Sequence, residues 1–180
     1  MKRKASKPAP SMIPVWDPLV RIFHWTLATC FIADYLLMEG NDPIHQVLGY
    51  LAAGLVTLRV AWGIIGTPYA RFSDFVPSGG SLFGYVRDML HLRERRFVGH
   101  NPAGGMMILA LLAQIALLAL TGWLMTTDAF WGVRWLQDVH EAIADLTALF
   151  VCIHIGGVIF ESVRQSENLP LAMITGRKRA

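Results

Sequence analysis

Long apolar segments alternate with polar connections along most of this 180-residue chain. Four of them approach or exceed the roughly 20 residues that an α-helix needs to cross a bilayer. The first is the least apolar because it contains Arg21, His24 and Asp34, whereas residues 97–127 contain no Asp, Glu, Lys or Arg. The pattern predicts an all-α integral membrane protein, a bundle of four transmembrane helices. These helices are expected at about residues 19–38, 43–65, 103–126 and 138–160.

A shorter amphipathic segment lies in the connection between the second and third apolar segments. Apolar residues recur there at helical spacing over about residues 81–92, and Ser81 is a candidate N-cap. We expect a helix that lies on the cytoplasmic membrane surface. Outside the membrane domain of residues 15–165, we expect a disordered cytoplasmic tail at residues 1–14 and a basic cytoplasmic tail at residues 166–180.

Composition and charge support a membrane location and an orientation. Hydrophobic residues make up 54% of the chain and charged residues 16%, against about 25% charged residues in an average soluble domain. Fifteen of the 16 Lys and Arg residues lie on the side of the bundle that carries both tails, and only Arg134 lies on the other. Because cytoplasmic loops are rich in Lys and Arg, both termini are predicted to be cytoplasmic. The same clustering beside apolar segments argues against a nucleic acid partner.

The two cysteines, Cys30 and Cys152, both lie inside apolar segments. No C-x-x-C or C-x-x-C-H motif occurs, which excludes zinc ribbons, thioredoxin-type chemistry and covalently attached c-type haem. Both thiols are therefore expected to pack as small apolar side chains.

Four histidines fall within the predicted helices and form two pairs at matching depth. His24 and His154 lie near the cytoplasmic ends of the first and fourth helices, and His45 and His140 near the outer ends of the second and fourth. The two on the fourth helix are 14 residues apart, so they share one face and are separated by about 21 Å along the axis. Two facing imidazoles at one depth are the axial ligands that a six-coordinate b-type haem needs.

Neighbouring residues suit two haem sites. Gly49, Gly156 and Gly157 lie close to the histidines, where a flat macrocycle must approach the helices. Arg21 and Arg59 lie near the cytoplasmic ends of their helices and are predicted to pair with the propionates of the inner haem. An unpaired guanidinium at that depth would be costly.

Simpler interpretations exist for each of these residues. A single intramembrane histidine is often a snorkelling or hydrogen-bonded side chain, and zinc or copper is the rival to haem. Zinc usually requires four ligands that converge on one point, whereas these histidines form two layers, which favours two non-covalent haem b groups. His91 and His100 have no partner at a suitable depth and are predicted to be interfacial. Asp34 and Asp145 are expected to snorkel to the outer surface, or alternatively to form a proton path beside the outer haem.

Several stretches together carry a family resemblance from Val15 over nearly the whole chain. They are VWDPLVRIFHW, HQVLGYLAAGLVTLRVAWGIIGTPYARF, GHNPAGGMM with the later TGW, VHEAIADLTALFVCIHIGGVIFES and SENLPLAMITGRKR. In combination they resemble the bacterial cytochrome b561 family, in particular the branch labelled as the cytochrome b subunit of nickel–iron hydrogenase. The resemblance implies a four-helix dihaem cytochrome of the bacterial inner membrane that exchanges electrons with the quinone pool.

The ligand pattern of the family falls on His24, His45, His140 and His154, the same histidines that depth selects. Two features depart from it. His45 is followed by Gln where the family often has Glu, which leaves the ligand intact. Asp34 is also unusual, and it changes the expected surroundings of the outer haem.

These observations favour a transmembrane electron conduit between the quinone pool and a redox partner, such as a periplasmic c-type cytochrome or a hydrogenase. A superoxide:quinone oxidoreductase is the second hypothesis, although it would favour a positively charged outer surface. A membrane anchor that recruits a soluble redox enzyme, and a small transporter, are hypotheses of other classes. The outer surface offers only Arg134 against Glu39, Asp42, Asp128 and Asp138, which ranks the superoxide hypothesis second. The direction of electron flow, the quinone site and the oligomeric state stay open, and a homodimer is among the alternatives.

Overall fold

The computed structural model describes residues 11–38 and 42–180, and these are mostly helical. Two short strands, β1 (Met12–Pro14) and β2 (Arg177–Arg179), pair in antiparallel orientation. The helices in chain order are α1 (Pro18–Leu37), α2 (Pro43–Ile65), α3 (Phe72–Phe75), α4 (Gly79–Leu90), α5 (Pro102–Met125), α6 (Arg134–Arg164) and α7 (Leu169–Thr175).

Three of the four long helices begin at a capping side chain that is followed by proline. Asp17, Asp42 and Asn101 each accept a hydrogen bond from a backbone N–H two or three residues later, at 2.6–2.9 Å. Proline suits the next position because that residue has no intrahelical hydrogen bond to lose. Asp17 also accepts hydrogen bonds from Trp62 Nε1, at 2.9 Å, and from the Thr67 hydroxyl. This carboxylate therefore joins the start of α1 to the end of α2.

Helix α5 lies at the centre of the packing. Both α2 and α6 pack along it, and α1 packs against α2. The core between α1, α2 and α5 contains Phe23, Val56, Leu112 and Ile115. Many large apolar side chains on the outer surfaces of the helices are exposed, as expected where lipid rather than water is the neighbour.

Among the described residues, three helices are long and apolar enough to cross a membrane, namely α2, α5 and α6. Helix α1 has 20 residues, but Arg21, His24 and Asp34 lower its hydropathy. The prediction of a helical membrane protein is confirmed in this coarser form. That all four long helices cross the bilayer stays a prediction.

Two helix boundaries differ from the prediction. Helix α6 extends over Arg134–Arg164 rather than residues 138–160, because hydropathy marks only the apolar part of a helix and misses its polar terminal turns. Helix α4 begins at Gly79 rather than at residue 81. Its N-cap is Ser78, whose hydroxyl oxygen accepts a hydrogen bond from the N–H of Ser81 at 3.3 Å, so Ser81 lies in the first turn.

The two tails also differ from the prediction, because parts of each are ordered against the other. β1 pairs with β2, and α7 occupies the middle of the segment that was predicted to be a plain basic tail. A disordered tail is therefore wrong for residues 12–14, and residues 1–10 lie outside the described residues. Local sequence does not reveal this arrangement because it depends on ion pairs between distant residues.

Glu167 is the centre of these ion pairs. Its carboxylate lies 3.4 Å from the guanidinium of Arg96 and 3.8 Å from Lys178 Nζ, and it accepts a hydrogen bond from the N–H of Arg179 at 2.8 Å. Lys178 is only 4% exposed. Burial acts to raise the pKa of Glu167, but the Arg179 hydrogen bond and the charges of Lys178 and Arg96 outweigh it and lower that pKa.

Replacing Glu167 with Gln should destabilise the fold. The change keeps an acceptor for Arg179 but leaves the Lys178 ammonium buried without its counter-charge. Breaking such a pair costs about 3 kcal/mol, which unfolding of the purified protein in mixed micelles at pH 7 would measure. Since a lowered carboxyl pKa stabilises only above the unfolded value of 4.5, the difference from wild type should shrink below that pH.

Asp88→Asn is the matched control, because Asp88 pairs with Arg87 at 3.6 Å on an exposed surface. Exposed pairs contribute about 0–1 kcal/mol. An effect of Asp88→Asn as large as that of Glu167→Gln would contradict the role given to the buried carboxylate.

Candidate functional site

Two pairs of histidine rings face each other across the bundle. His24 of α1 faces His154 of α6 with ring centroids 6.3 Å apart, and His45 of α2 faces His140 of α6 at 6.1 Å. The structure thus brings the four histidines together in the two pairs that depth matching predicted. Helix α6 contributes one ring to each pair.

The ring spacing suits a single metal ion between each pair. Two metal–nitrogen bonds of about 2 Å, plus about 1 Å from each nitrogen to its ring centre, place the two centroids about 6 Å apart. The observed 6.3 Å and 6.1 Å agree with this value. Among the described residues, no group of three or more His, Cys, Asp or Glu side chains is placed to hold a metal ion.

The helix surfaces beside the histidines leave room for a flat macrocycle. A Cβ atom added to Gly49, one turn from His45, would meet no atom within 4 Å, and the same holds for Gly156 and Gly157 beside His154. Helix α6 packs mainly along α5 rather than along α1 or α2, which carry the partner histidines. A b-type haem therefore fits the residues present at both levels.

Hydrogen bonds orient both rings of the outer pair. Asp34 Oδ1 lies 3.0 Å from His45 Nδ1, and because a carboxylate only accepts, His45 Nδ1 carries the hydrogen. Thr121 donates its hydroxyl hydrogen to the Leu117 carbonyl at 2.8 Å and accepts from His140 Nδ1 at 2.7 Å. In both rings Nε2 is left with a free lone pair for a metal.

The inner pair lies beside buried nitrogen atoms that lack an acceptor. Arg59 is 2% exposed, with its guanidinium carbon 5.3 Å from the centre of the Phe72 ring. Arg21 donates one hydrogen bond, to the Thr175 carbonyl at 3.1 Å. Buried donors without acceptors are costly, so an anion bound beside the guanidinium groups of Arg21 and Arg59 would stabilise this region. Haem propionates would supply such an anion. Within the described part of the chain the atoms without a partner include Arg21 Nε, His24 Nδ1, Arg59 Nη1 and His100 Nδ1.

His100 belongs to this inner region, although it was predicted to be a plain interfacial residue. Its ring packs between Trp16, at a centroid distance of 4.4 Å, and Phe75, at 4.8 Å. Burial, and then the charges of Arg59 and Lys178, lower its pKa to about 3. His91, by contrast, is exposed at the end of α4.

Sequence reasoning missed Thr121 and Gly122 as well as His100. A Cβ atom at Gly122 would lie 3.4 Å from His140 Cε1, so this glycine packs directly against the His140 ring. The only signal was that these residues fall within the TGW and GHNPAGGMM stretches. Their contacts join residues far apart in the chain, which periodicity does not reveal.

His100 should make the fold sensitive to mild acid. The ring stays neutral in the folded state, whereas in the unfolded chain it gains a proton below pH 6.5. Stability should therefore fall as pH decreases from 6.5, by up to about 1.4 kcal/mol for each pH unit. His100→Phe should reduce this loss in thermal unfolding between pH 7.5 and 5.

His91→Phe is the control, since His91 is exposed. Its pH dependence should equal that of the wild type. If His100→Phe loses as much stability between pH 6.5 and 5 as the wild type does, His100 is not the group responsible.

Comparison with known proteins agrees with this geometry. The family model described as "Prokaryotic cytochrome b561" matches residues 15–176. The chain belongs to this family. A relative, the "Probable Ni/Fe-hydrogenase B-type cytochrome subunit" of Rhizobium leguminosarum bv. viciae, is 23% identical over 211 residues, covering 91% of this chain and 87% of the relative. No solved structure matches the chain.

The family resemblance inferred from the motifs is thereby confirmed. Membership makes the chain a membrane cytochrome of the b type, a class of protein that transfers electrons by means of haem b. The apolar helices fit that membrane location.

Proposed function

We propose that the protein is a dihaem b-type cytochrome that carries electrons across the bacterial inner membrane, between the quinone pool and a redox partner. The observation that carries this proposal is the presence of two facing histidine pairs, 6.3 Å and 6.1 Å apart, at the two ends of α6. The 14 residues between His140 and His154 correspond to about 21 Å along the helix. That separation supports a site near each surface of a bilayer whose hydrocarbon core is about 30 Å thick.

Each haem, when bound, would supply a one-electron iron couple, and the protein sets its ligation and surroundings. His45 and His140 would hold the outer haem through Nε2, since Asp34 and Thr121 occupy their Nδ1 atoms. Gly49 would give the macrocycle access to the face of α2.

At the inner level, His24 and His154 are the ligands that we propose. Arg21 and Arg59 would bind the propionates, and the buried Nδ1 of His100 is a further donor on this side. The excess of Lys and Arg on this side of the bundle supports cytoplasmic termini. An inner haem near the cytoplasm would follow.

The outer surface favours a positively charged soluble partner. Asp128, Asp138 and Glu141 are exposed there, together with Arg134. An acidic surface attracts a basic redox protein, such as a c-type cytochrome, and repels an anion such as superoxide. The name of the Rhizobium relative makes a hydrogenase the second candidate partner.

Haem content in histidine variants tests the two sites. The wild type should contain two haems for each chain by pyridine haemochrome assay. His24→Ala and His154→Ala should each lose one haem and keep the other, because each removes an axial ligand of the inner iron. His45→Ala and His140→Ala should lose the other.

The double variants decide the grouping. His24→Ala combined with His154→Ala should still contain one haem, whereas His24→Ala combined with His45→Ala should contain none. His91→Ala, which changes an exposed ring, should keep both. Any other grouping would refute the proposed pairs.

The acidic outer surface predicts how electrons reach a partner. Asp128→Asn combined with Asp138→Asn should slow electron exchange with a basic c-type cytochrome by about tenfold at low ionic strength, because electrostatic steering is weakened. Stopped-flow absorbance of the b band measures this rate, and the difference should vanish in high salt.

Asp88→Asn is the control, because it removes an exposed carboxylate charge from the opposite, cytoplasmic surface. It should leave the rate unchanged. An unchanged or faster rate in the outer double variant would argue against a basic partner at this surface.

A further inference from the structure

Asp34 is a carboxylate that contacts a proposed haem ligand. Its Oδ1 atom lies 3.0 Å from His45 Nδ1, and both side chains are about three-quarters buried, with exposures of 21% and 26%. The other histidine of the outer pair, His140, has only a hydroxyl on its Nδ1 atom, that of Thr121. The two outer rings therefore differ in the group behind them.

We propose that Asp34 is a positioning residue that acts through His45 and holds the outer haem at a lower reduction potential than the inner haem. This inference rests on the proposed dihaem function. A carboxylate that accepts the Nδ1 hydrogen of a ligating histidine fixes its tautomer and ring orientation and makes the ring a stronger electron donor. A stronger donor stabilises ferric iron over ferrous iron, and second-shell hydrogen bonds are among the factors that set haem potentials.

The charges around the two histidine pairs act in the same direction. At the inner level Arg21 and Arg59 would offset the negative charge of the propionates that they bind, which favours the reduced iron. At the outer level the largely buried carboxylate of Asp34 stands behind His45 instead, whereas Asp145 is exposed. Because Asp34 is largely buried, its charge acts more strongly on the outer haem than a charge exposed to solvent would.

A lower outer potential makes inward electron transfer the downhill direction. With both haems bound, one electron would pass from the outer haem to the inner haem, and no bond or proton would change place. An electron shared by the two sites would then reside mainly on the inner one. The chain would be suited to accept electrons at its outer surface.

Asp145 offers a matched comparison. It is a second carboxylate near the outer end of the bundle, but its Oδ1 atom accepts a hydrogen bond from the Tyr35 hydroxyl, at 2.8 Å, and not from a histidine. Loss of its charge tests the general effect of a nearby anion. Loss of the charge of Asp34 tests the path through His45.

Redox titration of the purified dihaem protein in detergent micelles distinguishes these effects. The wild type should show two one-electron waves. Asp34→Asn should increase the equilibrium constant for reduction of the low-potential haem at least tenfold, which raises the potential of the lower wave by about 59 mV for a one-electron couple. The potential of the upper wave should stay unchanged. Asparagine keeps the size and an acceptor oxygen, so the low-spin bis-histidine electron paramagnetic resonance signal should persist.

Two variants serve as controls. Asp34→Glu keeps the negative charge, and Asp145→Asn leaves Asp34 in place; in both, each wave should stay within threefold of the wild type. The role of Asp34 would be overturned by a shift of the upper wave alone, by no shift in Asp34→Asn, or by an equal shift in either control.

Loss of a haem in Asp34→Asn would also be decisive. If the remaining haem titrates with the upper wave of the wild type, Asp34 is needed to hold the outer, low-potential site, as proposed. If it titrates with the lower wave, the assignment is overturned. A wild type without two haems would overturn the proposed function itself, whereas two haems with an unresponsive lower wave would overturn only the role of Asp34.

Discussion

The packing of α6 along α5 determines where both candidate sites lie, since α6 contributes one histidine to each. Thr147 lies seven residues from His140 and seven from His154, two helical turns in each direction, so the three share one face of α6. Thr147 is 0% exposed, and its hydroxyl donates to the Ile143 carbonyl at 2.7 Å. Protein atoms therefore cover the middle of this face. Towards the start of α6 the face presents His140 to α2, and towards its end it presents His154 to α1. This packed layer keeps the two sites separate.

The low polarity of a bilayer makes unpaired charges costly, and the two ends of the bundle meet this constraint differently. At the outer end, Asp34 meets His45 and Asp145 meets the Tyr35 hydroxyl. Asp34 thus finds a largely buried partner, whereas Asp145 and Tyr35 pair on an exposed surface. At the inner end, Arg59 stays buried with a nitrogen that lacks an acceptor. The inner site is therefore incomplete without an anion, which gives the propionate interpretation its physical basis.

How much of this could be predicted from the sequence depends on the range of the interactions. The helical period alone places His140 and His154 on one face, and positive-inside topology then matches each with a partner by depth. Both steps need only local spacing and a count of charges. The surroundings of His100 could not be predicted in this way, because its ring packs against Trp16 and Phe75, which lie far from it in the chain.

The ordered tails escaped prediction for a related reason. A run such as RKR is usually solvated, and the apolar stretch before it, at residues 169–174, is too short to predict a packed unit by itself. Lys178 is nevertheless buried, because Glu167 and the backbone of β1 supply the partners that its charge and its strand require. Ion pairs between residues many positions apart cannot be inferred from hydropathy, so a charged segment that is locally loop-like can still be part of the fold.

Two histidine rings of one candidate site can differ through the groups that hydrogen-bond to them. His45 and His140 lie at one level, yet a carboxylate stands behind the first ring and a hydroxyl behind the second. The hydroxyl fixes the tautomer as well as the carboxylate does, but only the carboxylate adds charge to the ring. Neither Asp34 nor Thr121 is a proposed ligand, so a motif of ligating histidines does not predict either residue. Among sites built from facing histidine pairs, the polar residues that hydrogen-bond to the rings are therefore where one chain can acquire electron-transfer properties of its own.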